Sequence, residues 1–307
     1  MKKNIKRIRA HKTGSGTKMY HNETVRLLIE RGSCRSFIEK PLEPELMSAM
    51  LEAGIHSPTG GNLQPYSIIK IEKAKRKAML AKLCGQPFMA RASAHLVFCI
   101  DFHRLRRWAK LETAPFVENY AFRHFWISFQ DTIICAQNIC TAADSLGLGS
   151  VYIGPVADNI PQLRKIFRLP KGVIPVVLLA VGYPAAKPVS KNKLGPEIIV
   201  HDDVYRDIPD SRLRAAFDAK YANAKYDVTK ENLAEIEGVC AKVHGKKFAA
   251  ACRAQMRKQG YINTAQRTFG LHYKADEMLQ TTEALLRAME EGGLYCFRKL
   301  KRKYVKP

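Results

Sequence analysis

The stretch His95-Leu-Val-Phe-Cys-Ile-Asp101 predicts a strand that is apolar on both faces. Successive side chains of a strand point to opposite faces of its sheet, so an unbroken apolar run leaves neither face for solvent. Such a strand belongs in the middle of a sheet that is covered on both sides. The other predicted strands and helices are therefore expected to surround this segment.

The flanking sequence predicts three more strands and a larger number of helices. The strands are Ser67–Glu72, Val151–Ile153 and Val173–Val181. Helical patterns cover 22–31, 43–53, 73–83, 118–146, a segment between Asp158 and Pro170, and, in the last hundred residues, 230–243, 246–257 and 276–291. Helices and strands do not alternate in regular βαβ order, so the predicted class is a layered α+β fold.

The longest predicted helix, 118–146, has apolar residues at helical spacing. Residues at i, i+3, i+4 and i+7 share one face, and this spacing predicts a face buried in the core. The members of that face are Phe122, Phe125, Trp126, Phe129, Ile133 and Ala136. His124, Asp131 and Cys135 on the same helix are interpreted as core or interface positions, and no residue is nominated as a catalytic acid or base.

The chain carries a formal net charge of +23, which raises the hypothesis of a nucleic-acid-binding protein. Much of the charge lies at the ends, since residues 1–20 hold seven Lys or Arg and the ten residues from Arg298 hold six, both without an acid. Terminal runs of this kind are typical of solvated tails, and residues 1–20 are predicted to form a flexible basic arm. No nucleic-acid-binding motif accompanies the charge, so nucleic acid is kept as an alternative only.

Several other classes are excluded by absent patterns. No apolar run reaches the length of a membrane helix, and no apolar stretch follows the basic start as in a signal peptide, so a cytoplasmic protein is expected. The eight cysteines are scattered, and the nine histidines do not cluster at ligand spacing, so no metal is predicted. Gly147-Leu-Gly149 lacks the third glycine of a dinucleotide-binding turn, because position 152 is Tyr.

The segment Arg31-Gly32-Ser33-Cys34-Arg35-Ser36-Phe37 combines two guanidiniums and a hydroxyl at alternate positions. In an extended chain this spacing places Arg31, Ser33 and Arg35 on one side. Arginine offers a planar fork of donors that matches phosphate oxygens. The segment is therefore a candidate phosphate site, with a solvated helix end as the alternative.

Four more segments are consistent with a bound flat ligand, although each alone is more typical of a turn or a basic loop. Glycines allow close backbone approach, and Asn and Gln side chains can pair with a ring that has both donors and acceptors. The segments are Ser57–Pro65, Gly85–Phe88, Val151–Pro155 and Lys191–Leu194.

Taken in order, the five segments resemble the nitroreductase superfamily over about residues 21–205, and most of all its NADPH-type oxygen-insensitive nitroreductases and flavin reductases. The resemblance implies a layered α-β-α fold with a central, mainly antiparallel sheet and a C-terminal helical extension. It divides the chain into a basic arm (1–20), an FMN-binding domain (21–208) and a helical extension (209–307). It also implies a homodimer with FMN at the subunit interface.

The resemblance assigns roles to individual residues. Arg31 and Ser33, with Gly32 between them, would hold the FMN phosphate, and Arg35 would stabilise negative charge near the pyrimidine edge. The remaining contacts would come from Pro58, Thr59, Gly60 and Asn62 of the partner subunit, Gln86 at the polar ring edge, Tyr152, Ile153, Gly154 and Pro155 along one ring face, and Lys191 and Lys193 at the phosphate. The sequence departs from the family at Lys193, where Arg is usual, and at Pro155, which lacks an amide donor.

The implied reaction is a ping-pong transfer of electrons from NAD(P)H through FMN to quinones, nitroaromatics or free flavins, with FMN as the redox centre. Three alternatives remain. The chain could bind FMN without turnover as a sensor, could be a basic nucleic-acid-binding protein, or could use the same fold for ene reduction or dehalogenation.

Overall fold

The computed structural model describes residues 9–13, 16–222 and 224–298. Its strands are β1 Arg9–Thr13, β2 Gly16–Tyr20, β3 Tyr66–Ile71, β4 Ala94–Asp101, β5 Gly149–Ile153 and β6 Val173–Gly182. Its helices are α1 Glu23–Glu30, α2 Pro44–Ile55, α3 Ala74–Leu83, α4 Phe102–Leu111, α5 Phe122–Ser145, α6 Ile160–Phe167, α7 Pro196–Ile199, α8 Asp210–Lys220, α9 Lys230–His244, α10 Lys246–Gln259, α11 Thr264–Arg267 and α12 Ala275–Glu291. Short 3-10 turns lie at Gly60–Asn62, Pro87–Arg91, Glu118–Tyr120 and Gly154–Asn159, and a π-helical turn lies at Thr268–His272.

The main sheet has four antiparallel strands in the order β3-β4-β6-β5. The two inner strands, β4 and β6, are buried along nearly their whole length. Leu96 and Phe98 of β4 pack into one apolar cluster, whereas Val97 and Cys99 pack into another on the opposite face. The prediction of a central strand that is apolar on both faces is confirmed.

Helices cover both faces of this sheet and produce the three-layer α-β-α arrangement. Residues of α2 and α5 share the first cluster with the sheet, and residues of α3 and α6 share the second. The α+β class with an antiparallel sheet is thus confirmed. Within the described ranges, every helix is too short or too polar to span a lipid bilayer.

A bulge interrupts the pairing of the two inner strands. Phe98 pairs with Val177 and Cys99 pairs with Pro175, which leaves Val176 as an extra residue. Proline has no amide hydrogen to donate to the ladder, so a proline in an inner strand requires such an irregularity. The bulge allows Pro175 to occupy a position where a regular ladder would need a donor.

The described chain divides into two compact units that differ from the predicted domains. One unit takes the residues up to Ser190 and those from Leu285 onward, and the other is 191–284. The predicted boundary at 208/209 therefore lies inside the second unit. The end of the chain belongs to the first unit because Leu294 is fully buried and the Gly172 amide donates to the Gly292 carbonyl oxygen at 2.7 Å.

The segment predicted as a flexible arm contains a two-stranded hairpin. β1 and β2 pair antiparallel, with Arg9 opposite Tyr20 and Thr13 opposite Gly16. Residues 1–8, 14 and 15 of the predicted arm, and residues 299–307 of the basic C-terminal run, lie outside the described residues.

The buried face of α5 agrees with the predicted one only in part, at Ala136 and at the half-buried Phe125. Its buried residues are Ser128, Asp131, Thr132, Cys135, Ala136, Ile139, Cys140 and Ala143. Phe122, Trp126 and Phe129 are 48%, 55% and 42% exposed, so the prediction that they line the core is wrong. The sheet and α2 pack against a neighbouring face of the helix that includes Cys135 and Ile139, and the apolar spacing could not separate that face from the aromatic one.

The exposed rings of α5 contact one another and the C-terminal segment. Phe122 stacks against Trp126, Phe125 against Phe129, and both Phe122 and Phe125 contact Phe297 edge-on. We refer to Phe122, Phe125, Trp126, Phe129 and Phe297 as the aromatic face. Large contiguous apolar patches of this kind mark interaction surfaces in soluble proteins.

Two buried basic side chains hold the turn that precedes β4. Lys77 Nζ donates to the Ala92 carbonyl oxygen at 2.6 Å, and His95 Nε2 hydrogen-bonds the Met89 carbonyl oxygen at 2.9 Å. His95 is fully buried. Burial, assisted by the Lys77 charge, lowers the pKa of His95 to about 4, so its ring is neutral at physiological pH.

This shift predicts a loss of stability in acid. The unfolded chain protonates His95 near pH 6.5, whereas the folded protein resists protonation until about pH 4. The contribution of neutral His95 to the free energy of unfolding is therefore complete above pH 6.5 and is lost as the pH falls to about 4. The difference corresponds to about 3 kcal/mol. We expect His95→Gln to lack this loss when the free energy of unfolding is measured in urea across that range. Equal pH slopes for the two proteins would contradict the prediction.

Candidate active site

The segment 31–37 leaves α1 as an extended chain that adds to the edge of the sheet. The Cys34 amide donates to the Ser150 carbonyl oxygen of β5 at 2.9 Å, and Phe37 forms an isolated bridge with Pro184. Gly32 and Cys34 are buried, whereas Ser33 and Arg35 are exposed. The alternation predicted from the sequence is therefore present, and it presents Ser33 and Arg35 on the accessible side.

Glycine is required at position 32 because the loop that contains Val189 passes very close to it. A Cβ at this position would lie 2.5 Å from the carbonyl oxygen of Val189, which is a backbone atom and cannot yield easily. Any larger residue would displace the segment that carries Ser33 and Arg35. Sequence reasoning could not identify this neighbour, because Val189 lies far along the chain.

Arg31 has a carboxylate partner in the structure. Its Nε lies 2.7 Å from Asp144 Oδ2, and its Nη2 lies 3.4 Å from Ser150 Oγ. The two charged side chains are only 22% and 10% exposed. Burial raises the pKa of Asp144, and the hydrogen bond and charge of Arg31 oppose that rise. Arg31 thus retains little free positive charge, whereas Arg35 contacts no charged or hydrogen-bonding group in the described part of the chain.

Asp144 was not identified by sequence reasoning. It lies in the last turn of α5, where the helix dipole disfavours an acid. An acid in that position signals a specific cationic partner, and this signal was available in the sequence. The identity of the partner was not, because Arg31 lies more than a hundred residues earlier.

The loop Pro58–Asn62 is mostly exposed and is anchored from below by α5. The Gly60 amide donates to both carboxylate oxygens of Asp131, each at 3.1 Å. A Cβ on Gly60 would lie 2.7 Å from Ile127 Cγ2, so glycine permits this close contact. Gly61 and Asn62 have φ values of +59° and +55°, a left-handed conformation that glycine and asparagine tolerate.

Asp131 therefore has a more specific role than the core or interface position expected for it. Its side chain is 4% exposed, and burial raises its pKa while the Gly60 amide bond opposes the rise. A buried carboxylate requires donors, and the loop backbone supplies one. Asp131 fixes the loop to the middle of the long helix.

The segment Tyr152–Pro155 begins at the end of β5 and enters a 3-10 turn. Gly154 is exposed, and a Cβ placed there would meet no atom within 4 Å, so the space beside it is open. Ile153 as a whole is only 3% exposed and its side chain packs in the core, so that side chain does not face the open space. Tyr152 Oη donates to Gln137 Oε1 at 3.3 Å, and burial raises the pKa of Tyr152.

The structure brings together only part of the predicted site. Hydrogen bonds between the 31–37 segment and Ser150 place that segment beside β5, which ends at Tyr152 and Ile153. Gln86 is half-buried at the start of the turn that Lys77 and His95 hold. Among the described residues, no hydrogen bond joins Gln86 or the Pro58–Asn62 loop to the 31–37 segment or to β5. Lys191 and Lys193 are exposed residues of the second compact unit.

The chain is similar in sequence and in fold to known proteins. Residues 28–183 match the model of the nitroreductase family. The chain is 34% identical over 200 residues to an oxygen-insensitive NADPH nitroreductase of Salmonella typhimurium, covering 65% of this chain and 81% of that protein. It is 30% identical to an FMN reductase (NADPH) of Bacillus subtilis, covering 60% and 75%. Nitroreductase A of Vibrio parahaemolyticus superposes with a TM-score of 0.60 at 30% identity, over 65% of this chain and 84% of that one.

The buried Arg31–Asp144 pair predicts unequal effects of two arginine substitutions. Arg31→Ala leaves the Asp144 carboxylate buried without its partner and is expected to lower the free energy of unfolding by about 2 kcal/mol, a value reduced for partial exposure. Arg35→Ala removes an exposed, unpaired side chain and is expected to cost less than about 0.5 kcal/mol. Urea unfolding of the ligand-free protein measures both.

The double variant Arg31→Ala/Asp144→Asn separates charge from packing. Removing the stranded carboxylate charge is expected to restore at least half of the lost stability. If Arg31→Ala is as stable as Arg35→Ala, the ion pair does not contribute as we describe.

Proposed function

This chain belongs to the nitroreductase family, and from that premise we propose that it carries electrons from NAD(P)H through bound FMN to a small-molecule acceptor. The observation that carries the proposal is the exposed Ser33–Arg35 segment on the edge of the sheet, together with the open space beside Gly154 in the turn that follows the neighbouring strand β5. The chain is accordingly an NAD(P)H-dependent flavin oxidoreductase.

The residues present fit the two parts of FMN. Arg35 is a cation without a partner in the described chain, and Ser33 adds a hydroxyl on the same accessible side, which suits a phosphate. Gly154 offers backbone without a side chain, which allows a flat ring to approach closely. Gln86 supplies an amide that can both donate and accept.

FMN, when bound, supplies the redox chemistry, and the protein supplies position and charge. We assign the phosphate to Arg31, Gly32 and Ser33. Because Asp144 already neutralises Arg31, the free charge of Arg35 carries the greater electrostatic weight. The ring contacts are assigned to Gln86 and to Tyr152, Ile153, Gly154 and Pro155, with Ile153 acting through its backbone.

The acceptor classes we propose are quinones, nitroaromatic compounds and free flavins, served in a ping-pong order. Relatives described as a nitroreductase and as an FMN reductase support the last two classes. No acid–base residue is assigned to the reaction. We propose a cytoplasmic location, which the eight free cysteines support, since such thiols persist in a reducing compartment.

We further propose a homodimer in which Pro58, Thr59, Gly60 and Asn62 reach the flavin of the partner subunit. The aromatic face supports this proposal, because a second copy would remove its rings from water. The exposed loop supports it as well, since among the described residues its long-range hydrogen bonds go to Asp131 on α5, the helix that carries the aromatic face. The helix α5 would then carry both the dimer contact, through the aromatic face, and the anchor of the Pro58–Asn62 loop, through Asp131.

The first test is direct flavin binding. We expect the purified protein to be yellow, to be bleached by NADPH without oxygen, and to regain its colour on addition of a quinone. Ser33→Ala and Arg35→Ala should each weaken FMN binding, Arg35→Ala by about tenfold or more, because a charge-assisted hydrogen bond contributes about 1.5–3 kcal/mol. Fluorescence titration with FMN measures the affinities.

Arg107→Ala is the matched control, because Arg107 is an exposed arginine on α4 without a described partner. It should bind FMN as the unmodified protein does. A colourless protein that no added FMN saturates would contradict the proposal, and a flavin that NAD(P)H cannot reduce would favour the sensor function instead.

The second test concerns the dimer. Trp126→Lys places a charge within the aromatic face and is expected to shift the protein to monomers and to weaken FMN binding with it. Trp108→Lys is the control, since Trp108 is equally exposed, at 56%, but lies on α4 outside the aromatic face. Sedimentation velocity measures the assembly. If Trp126→Lys remains a dimer, the dimer interface lies outside the aromatic face and the proposal is contradicted.

A further inference from the structure

A cavity of about 610 Å³ lies within the second compact unit, between α9, α10 and the π-helical turn. This volume falls within the range of small-molecule sites. Its walls are mainly apolar, from Ile236, Val239, Val243, Phe248, Ala251 and Phe269. None of the residues assigned to the flavin lies among its lining residues.

Two cysteines meet in this cavity. Cys240 of α9 and Cys252 of α10 both line it, and both are half-buried with free thiols. Both side chains also pack against the same apolar cluster. Burial and the neighbouring Cys252 side chain raise the pKa of Cys240 to about 11, so Cys240 is a neutral thiol at physiological pH. The other six cysteines are buried in the first unit.

The surroundings restrict what such a pair can bind. A structural zinc ion needs about four ligands. Among the described residues, no group of three or more His, Cys, Asp or Glu side chains is placed to hold a metal ion. A ligand for this site must therefore bind through two sulfur atoms alone, and the remainder of the ligand must be apolar to match the cavity walls.

We propose that Cys240 and Cys252 form a two-thiol clamp for trivalent organoarsenicals that carry one apolar substituent. Both sulfur atoms bond to the arsenic, and the two S–H bonds break. The two protons leave with the arsenic-bound oxygen as one water molecule, so arsenic stays trivalent and no oxidant or reductant is needed. Soft sulfur ligands favour soft centres of this kind.

The substituent would occupy the apolar cavity. Phe248 and Phe269 are 51% and 59% exposed despite lining it, so ring surface is available at its mouth. Covering these rings with an aryl group removes apolar area from water and adds ring–ring contact. An aryl arsenical is therefore expected to bind more tightly than arsenite, which has no such group.

Phenylarsine oxide is the probe for the full, reduced chain. Native mass spectrometry should show one phenylarsenic group per chain, which persists in excess monothiol and is removed by a dithiol. Cys240→Ser and Cys252→Ser should each lose the persistent adduct, with at least a tenfold loss of affinity. Cys296→Ser, a buried cysteine of the first unit, is the matched control and should keep it.

A second measurement does not depend on variants that fold. When the adduct of the unmodified chain is compared with the free chain, peptides containing Cys240 and Cys252 should become protected from alkylation, and no other pair should change. An adduct that survives in Cys240→Ser, protection of a different pair of cysteines, or no persistent adduct at all would each overturn the proposal.

Discussion

The antiparallel pairing of β4 with β6 is the constraint on which the rest of the molecule depends. Both strands are buried on both faces, so helices must cover the sheet above and below. β5 adds to β6, and the 33–38 segment then adds to β5 and to the residues that follow β6. The segment with Ser33 and Arg35 is in effect a further edge of the sheet. Its position beside β5 follows from backbone hydrogen bonds and does not depend on a bound ligand.

The sequence predicted features that depend on local periodicity. All four strands of the main sheet were found within about two residues of their positions, because unbroken apolar runs and flanking turns are local signals. The alternation of Ser33 and Cys34 was predicted for the same reason. The helix α4 was missed, since five of its ten residues are basic or histidine and its short apolar stripe, with Leu105 and Ala109, gives little periodicity.

What the sequence could not predict concerns contacts between distant residues or between chains. The pairing of Arg31 with Asp144 and of Gly60 with Asp131 joins residues far apart in the chain, and single-sequence patterns carry no information on such pairs. The aromatic face was assigned to the core because apolar spacing indicates burial without indicating what provides it. The second unit ends at Ala284 because Gly292 and Leu294 return to the first unit, and no local pattern indicates that long-range contact.

The length of α5 has a consequence beyond packing. Asp131 and Asp144 are thirteen residues apart on one helix, which separates their Cα atoms by about 20 Å along the axis. The helix is thus a spacer between the loop anchor and the Arg31 pair. Each inserted or deleted residue would change that distance by about 1.5 Å and rotate one anchor relative to the other by about 100°. Substitutions between Asp131 and Asp144 change only the side chains on the helix surface. Insertions and deletions there would shift and rotate the Pro58–Asn62 loop relative to the segment that contains Arg31.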